Sequence, residues 1–60
     1  MSFSELLERG LDKYRGLKNP LETSLYMQLE YIDWSYRNAS NQEDFANHLW
    51  QDVAALINAA

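Results

Sequence analysis

Hydrophobic side chains recur at intervals of three and four residues in three separate segments of this chain. Such intervals place side chains on one face of an α-helix. The face predicted for the first segment consists of Phe3, Leu6, Leu7, Leu11 and Tyr14. This spacing predicts a first helix over about 3–16.

Polar and glycine residues indicate where the first helix begins and ends. Ser2 is followed three residues later by Glu5, a capping-box pattern that satisfies backbone N–H groups at a helix start. Gly16 can take the left-handed conformation that commonly ends a helix. We therefore expect the helix to stop near Arg15, with Leu17 folding back onto its hydrophobic face.

The second helix is predicted from the run KNPLE. Asn19 is a preferred N-cap residue, and Pro20 suits the first helical position. Glu22 stands where a carboxylate completes the reciprocal cap. The polar run NASNQED interrupts the hydrophobic pattern after Arg37. Together these features predict a helix over about 20–37.

A third helix follows over about 41–58. Ser40 and Glu43 form another capping box, and Asp44 adds negative charge beside the positive end of the helix dipole. The hydrophobic face of this helix spans about 140°. It consists of Phe45, Ala46, Leu49, Trp50, Val53, Leu56 and Ile57. A face of this width contacts two neighbouring helices, which belong either to the same chain or to a second one.

Helix two carries hydrophobic residues on two nearly opposite sides. An arc of about 80° holds a core stripe made of Leu21, Leu25, Leu29, Ile32 and Tyr36. The centre of a second stripe, formed by Met27, Tyr31 and Trp34, lies roughly 150° away around the helix. Because each helix of a closed three-helix bundle directs one sector at a shared core, the second stripe would face water.

Three interpretations account for the second stripe. Tyrosine and tryptophan tolerate exposure because each has a polar group. Alternatively, the bundle is open, and helices one and three cover opposite faces of helix two. The third interpretation is a protein contact, since aromatic residues and methionine are enriched in interface cores. On this third interpretation the partner-binding candidates are Met27, Tyr31, Trp34, Tyr26 and Trp50.

We expect a single all-α domain over 1–60, either an antiparallel bundle or an open helical arrangement. A chain of 60 residues buries only about 60% of its unfolded surface, so small domains usually need disulfides, a metal or a partner. The sequence has no cysteine and one histidine. Self-association is therefore the expected means of completing the fold, and a homodimer is the expected form.

Composition narrows the classes of partner. The net charge of −4 repels a phosphate backbone, and the third predicted helix has no arginine or lysine, so direct nucleic-acid binding is disfavoured. No apolar run approaches the roughly 20 residues that span a bilayer. The beginning of the sequence, MSFSELLERG, carries acids where a signal peptide needs a basic start. We expect a soluble, cytoplasmic protein.

The residue types needed for catalysis are scarce. No motif pairs a serine with His48, and Gly10 and Gly16 stand too far apart for a phosphate-binding loop. Gly10 either weakens the first helix by up to about 1 kcal/mol or lets another backbone approach closely. Asp44, His48 and Asp52 share a helical spacing and are weak metal-ligand candidates, more simply explained as solvated surface. We expect no enzyme activity and no cofactor.

The function that these patterns favour is protein interaction. The leading hypothesis is a small adaptor, inhibitor or regulator that docks its apolar-aromatic helix face on a partner. The alternatives are a self-assembling homodimer with a structural role, and a metal or small-ligand binder.

Overall fold

Three α-helices make up the computed structural model, which describes residues 2–16 and 19–59. They are α1 (Phe3–Tyr14), α2 (Pro20–Arg37) and α3 (Gln42–Ile57), and each packs against the other two. The predicted all-α fold is therefore confirmed as a closed three-helix bundle, which excludes the open arrangement. The predicted position of Leu17 lies outside the described residues.

Ser2 and Asn19 are the N-cap residues of the first two helices, as predicted. The Ser2 hydroxyl oxygen accepts a hydrogen bond from the Glu5 backbone N–H at 3.1 Å. The Asn19 side-chain oxygen accepts one from the Leu21 N–H at 2.9 Å, with proline at the first helical position. Gly16 has a φ of 77°, in the left-handed region that glycine adopts most easily. The helical hydrogen bonding of α1 ends just before this turn.

α3 begins within one residue of its predicted start, but Ser40 is not its N-cap. The N-cap is Asn41, whose side-chain oxygen accepts a hydrogen bond from the Asp44 N–H at 3.0 Å. Ser40 and Asn41 are both good caps, and each is followed three residues later by an acid, so the sequence pattern favours neither. A further contact forms across this turn, because the Gln42 side-chain amide donates to the Tyr36 carbonyl at 3.2 Å.

Asn41→Ala is expected to lower the free energy of unfolding by about 1 kcal/mol, because the Asp44 N–H loses its acceptor. Ser40→Ala is the matched control and should change stability by less than about 0.5 kcal/mol. Urea unfolding followed by circular dichroism measures both losses. A larger loss for Ser40→Ala than for Asn41→Ala would mean that Ser40, and not Asn41, caps α3.

Ring contacts establish the helix directions. The Phe3 ring, at the start of α1, lies 5.0 Å from the Tyr36 ring at the end of α2 and 6.3 Å from the Phe45 ring at the start of α3. The Trp50 ring lies 5.9 Å from Phe3 as well. Consecutive helices are therefore antiparallel, as their short connections predict, and α1 runs parallel to α3.

The opposite end of the bundle is held by polar contacts between α1 and α3. The Tyr14 hydroxyl lies 2.6 Å from the Leu56 carbonyl oxygen and 2.8 Å from the Ile57 carbonyl oxygen, and donates its proton to this pair. The Lys13 ammonium also donates to the Ile57 carbonyl. Both side chains thus satisfy carbonyl groups that a helix end leaves without partners within the helix.

Six buried hydrophobic side chains form the core: Phe3, Leu7, Tyr14, Leu25, Leu29 and Val53. The other six hydrophobic residues of the broad α3 face pack against this core. Their neighbours are α1 and α2 of the same chain. The width of the α3 face is therefore accounted for within one chain.

The buried side of α2 differs from the predicted stripe. Leu29 is fully buried, whereas Leu21 is 57% exposed, so its assignment to the core is wrong. At about 100° per residue, Leu29 lies roughly 40° from the centre of the predicted stripe and Leu21 lies roughly 80° from Leu29. The centre of the buried face of α2 therefore lies closer to Leu29 than the predicted stripe placed it. This rotation of the buried face leaves Leu21 outside the core.

Gly10 is buried on α1, facing side chains of both α2 and α3. A Cβ atom at this position would lie 2.8 Å from Ile57 Cγ1 and 2.9 Å from Leu29 Cδ1. The atoms that approach are therefore side chains, rather than the backbone that the sequence analysis suggested. Glycine is needed here because α2 and α3 each insert a branched side chain against the α1 backbone.

Candidate functional site

All four large hydrophobic side chains that are exposed within the described residues lie on α2. Tyr31 is 70% exposed, Met27 and Trp34 are each 63% exposed, and Leu21 is 57% exposed. Met27, Tyr31 and Trp34 lie nearly opposite the buried Leu29 on the helix. We call Leu21, Met27, Tyr31 and Trp34 the α2 outer face. These side chains are not covered by the other two helices.

The α2 outer face lies in a charge-free sector of the helix. From Thr23 around to Leu21, a sector of about 160° contains only uncharged side chains, and Glu30 marks its edge. The charged residues of α2 are Glu22, Glu30, Asp33 and Arg37. In a chain with a net charge of −4, a sector of this kind can be covered without placing a carboxylate in an apolar contact.

The charged side of α2 borders α1 instead. Asp33 and Arg37 are paired at 3.2 Å between Asp33 Oδ2 and Arg37 Nε. They line a depression together with Glu8 of α1 and with Arg15, which follows the end of α1. The two sides of α2 are therefore chemically distinct, since the side towards α1 is charged and the side away from it is apolar.

A shallow cavity follows the α2 outer face. It has a volume of about 400 Å³ and is lined by Ser24, Met27, Gln28, Tyr31 and Ile32. A second cavity of about 540 Å³ lies between α2 and α3, where Gln28 and Ile32 meet residues such as Ala55. Because the two cavities share Gln28 and Ile32, the apolar surface continues from α2 towards α3.

Tyr26 and Trp50, the other two partner-binding candidates, lie elsewhere. Both are half-buried and pack against the core. Trp50 contributes its ring to the aromatic contacts around Phe3. The structure therefore brings Met27, Tyr31 and Trp34 together on one surface but does not bring Tyr26 and Trp50 to it. Leu21, the fourth exposed residue, was missed because the helical spacing assigned it to the core.

The weak metal candidates on α3 do not converge. His48 Nδ1 lies 2.9 Å from the Asp44 carbonyl oxygen and 3.5 Å from Asp44 Oδ1. Across residues 2–16 and 19–59, no three His, Cys, Asp or Glu side chains are grouped closely enough to hold a metal ion. Asp52 lines the α2–α3 cavity instead.

Two further observations bear on the site. Within the part of the chain that the structure describes, no helix is both long enough and apolar enough to cross a bilayer. Comparisons with protein-family models, with curated proteins and with solved structures found no match for this chain.

Proposed function

We propose that this chain is a small protein-interaction domain, an adaptor, inhibitor or regulator, that binds another protein molecule through the α2 outer face. One observation carries the proposal: the exposed large hydrophobic side chains of the described residues are gathered on one uncharged sector of a single helix. Met27, Tyr31 and Trp34 are neighbours on the helix, and contiguous apolar patches mark interaction sites more often than scattered exposed residues do.

The chemistry of the α2 outer face supports protein recognition. Tryptophan, tyrosine and methionine are enriched in interface cores, where charged residues are depleted. Tryptophan and tyrosine also supply large contact areas with few rotatable bonds. A helix that presents such residues at spacings of three and four can lie against an apolar groove or another helix.

The proposal is for a non-catalytic protein that needs no cofactor and makes no direct contact with nucleic acid. The negative net charge supports the last point, because nucleic-acid affinity depends on neutralising phosphates with basic side chains. We also propose a cytoplasmic location. The absence of cysteine supports it, since small secreted domains are commonly rich in disulfides.

Photo-crosslinking in cells that express the protein tests the proposed function. The photoreactive residue p-benzoylphenylalanine is placed at Tyr31 on the α2 outer face, or at the exposed Gln51 on α3 as a matched control. We expect a discrete cross-linked product, identified by mass spectrometry, only from position 31. Equal products from both positions, or no protein cross-link from position 31, would contradict the proposal.

Trp34→Ala in the same experiment should weaken the association by about 2 kcal/mol or more, as expected for a tryptophan at a binding hot spot. Because Trp34 is mostly exposed, this change should leave the circular dichroism spectrum of the bundle unaltered. An unchanged cross-link yield at limiting concentration would remove Trp34 from the contact surface.

A further inference from the structure

We propose that the protein molecule bound at the α2 outer face is a second copy of this chain, packed about a two-fold axis with the two α2 helices antiparallel. This inference rests on the proposed function, because it names the partner of the same surface. Three properties of the α2 outer face support it: its area, its charge and the distribution of its residues along the helix.

The area is sufficient for a specific but modest dimer. A large aromatic side chain offers roughly 150–250 Å², and the four residues of the α2 outer face are 57% to 70% exposed. Together they offer at most roughly 500 Å² per copy, so a pair that covered all of it would bury roughly 1,000 Å², the area that a specific interface should clear. Ser24 and Gln28 lie beside them and add to this area.

Charge favours this surface over any other side of α2 for self-contact. Each copy has a net charge of −4, so a contact between two copies must keep carboxylates apart. The charge-free sector of α2 meets this requirement, because Glu22, Glu30 and Asp33 all lie outside it. At an ionic strength of about 0.15 M, repulsion between more distant carboxylates is screened beyond about 8 Å.

The positions of the four residues favour an antiparallel pair. Leu21 and Trp34 stand at the two ends of the α2 outer face, and its midpoint falls between Met27 and Gln28. A two-fold axis at this midpoint places the Trp34 ring of one copy against the smaller Leu21 side chain of the other. Parallel helices would instead set the two Trp34 rings, and the two Glu30 carboxylates, level with each other.

The test uses charge substitutions at Gln28, which lies beside the proposed axis and is exposed. Sedimentation equilibrium of the wild-type chain, from about 1 µM to about 1 mM, is expected to show a reversible monomer–dimer equilibrium. Gln28→Lys alone and Gln28→Glu alone each place two like charges close together across the axis. Each variant is expected to raise the dimer Kd at least about tenfold.

Mixing the two variants in equal amounts should restore dimers, because each mixed pair then brings a lysine and a glutamate together. A general effect of net charge would not produce this recovery. Gln51→Lys and Gln51→Glu are matched controls that change the same residue type on the exposed side of α3. They are expected to leave the dimer Kd within about twofold of the wild-type value.

Other results would overturn the inference. A wild-type mass of one chain at the highest concentration would exclude the second copy, and a mass above two chains would exclude the closed two-fold pair. A dimer that is insensitive to charge at Gln28 would place the contact elsewhere. If the chain is monomeric while position 31 still cross-links a different protein, the proposed function survives and only this inference fails.

Discussion

Leu29→Ala is expected to lower the free energy of unfolding by about 2–5 kcal/mol, because Leu29 is fully buried where α1 and α2 meet. The loss combines the transfer free energy of the three removed carbon atoms, a methine and two methyl groups, with the cost of the cavity that they leave behind. Natural domains are stable by only about 5–15 kcal/mol, so this single change removes a large share of the stability of the bundle.

Leu21→Ala is the matched control, since it changes the same residue type on the same helix at a position that is 57% exposed. It is expected to cost less than about 1 kcal/mol. Urea unfolding is measured at several protein concentrations, because any loss that Leu21→Ala causes through association should disappear on dilution. Equal losses from both substitutions in the monomer would contradict the rotated core described for α2.

Gly10→Leu is the second substitution with a large expected effect, a destabilisation of about 3 kcal/mol. A Cβ atom alone would overlap Ile57 Cγ1 and Leu29 Cδ1, and leucine adds three further carbon atoms at the same point. Leucine is also a better helix former than glycine by almost 1 kcal/mol, so helix propensity opposes the expected loss. Any destabilisation therefore reports the packing of α1 against the other helices.

Glu8→Leu provides the control for Gly10→Leu, because it introduces the same side chain on the exposed side of α1. Its expected effect on stability is within about 0.5 kcal/mol. Thermal and urea unfolding of the two variants separate overpacking from a general effect of an added leucine. A Gly10→Leu variant as stable as Glu8→Leu would mean that Ile57 and Leu29 move aside without cost.

The sequence predicts the fold well at positions where a single residue type determines the backbone conformation. Gly16 is an example, since the left-handed turn after α1 requires a φ that other residues rarely adopt. Pro20 is another, because its restricted φ and missing N–H suit only the start of a helix. The sequence gives the start of α3 only to within one residue, because Ser40 and Asn41 satisfy the same capping rule one residue apart.

The core and the surface of α2 were predicted less completely, for a geometric reason. Helical spacing gives the angle of each side chain around its own axis but does not say how far the helix is rotated against its neighbours. A rotation of roughly 40° is enough to bury Leu29 fully and to expose Leu21. Met27, Tyr31 and Trp34 were placed correctly outside the core because they lie nearly opposite it, where a rotation of this size changes little.

The packing around Gly10 also lay beyond what the pattern could indicate. The sequence showed a glycine inside a helix, which is compatible either with a weakened helix or with a close approach. The atoms that lie closest to Gly10 are determined by the contacts of α2 and α3 with α1. The residues that make these contacts are distant from one another in sequence. Ile57 lies 47 positions after Gly10, too far along the chain for any local pattern to connect them.

The close packing of Leu29 against α1 has a consequence for the opposite side of the same helix. Because one side of α2 packs in the core, the backbone of α2 is already ordered in the protein without a bound partner. Association would then restrict chiefly side-chain rotamers such as those of Met27, at about 0.5–1.5 kcal/mol for each immobilised side chain. Rigidity on the inner side of α2 thus lowers the entropic cost of recognition on its outer side, and a loosened core would raise that cost.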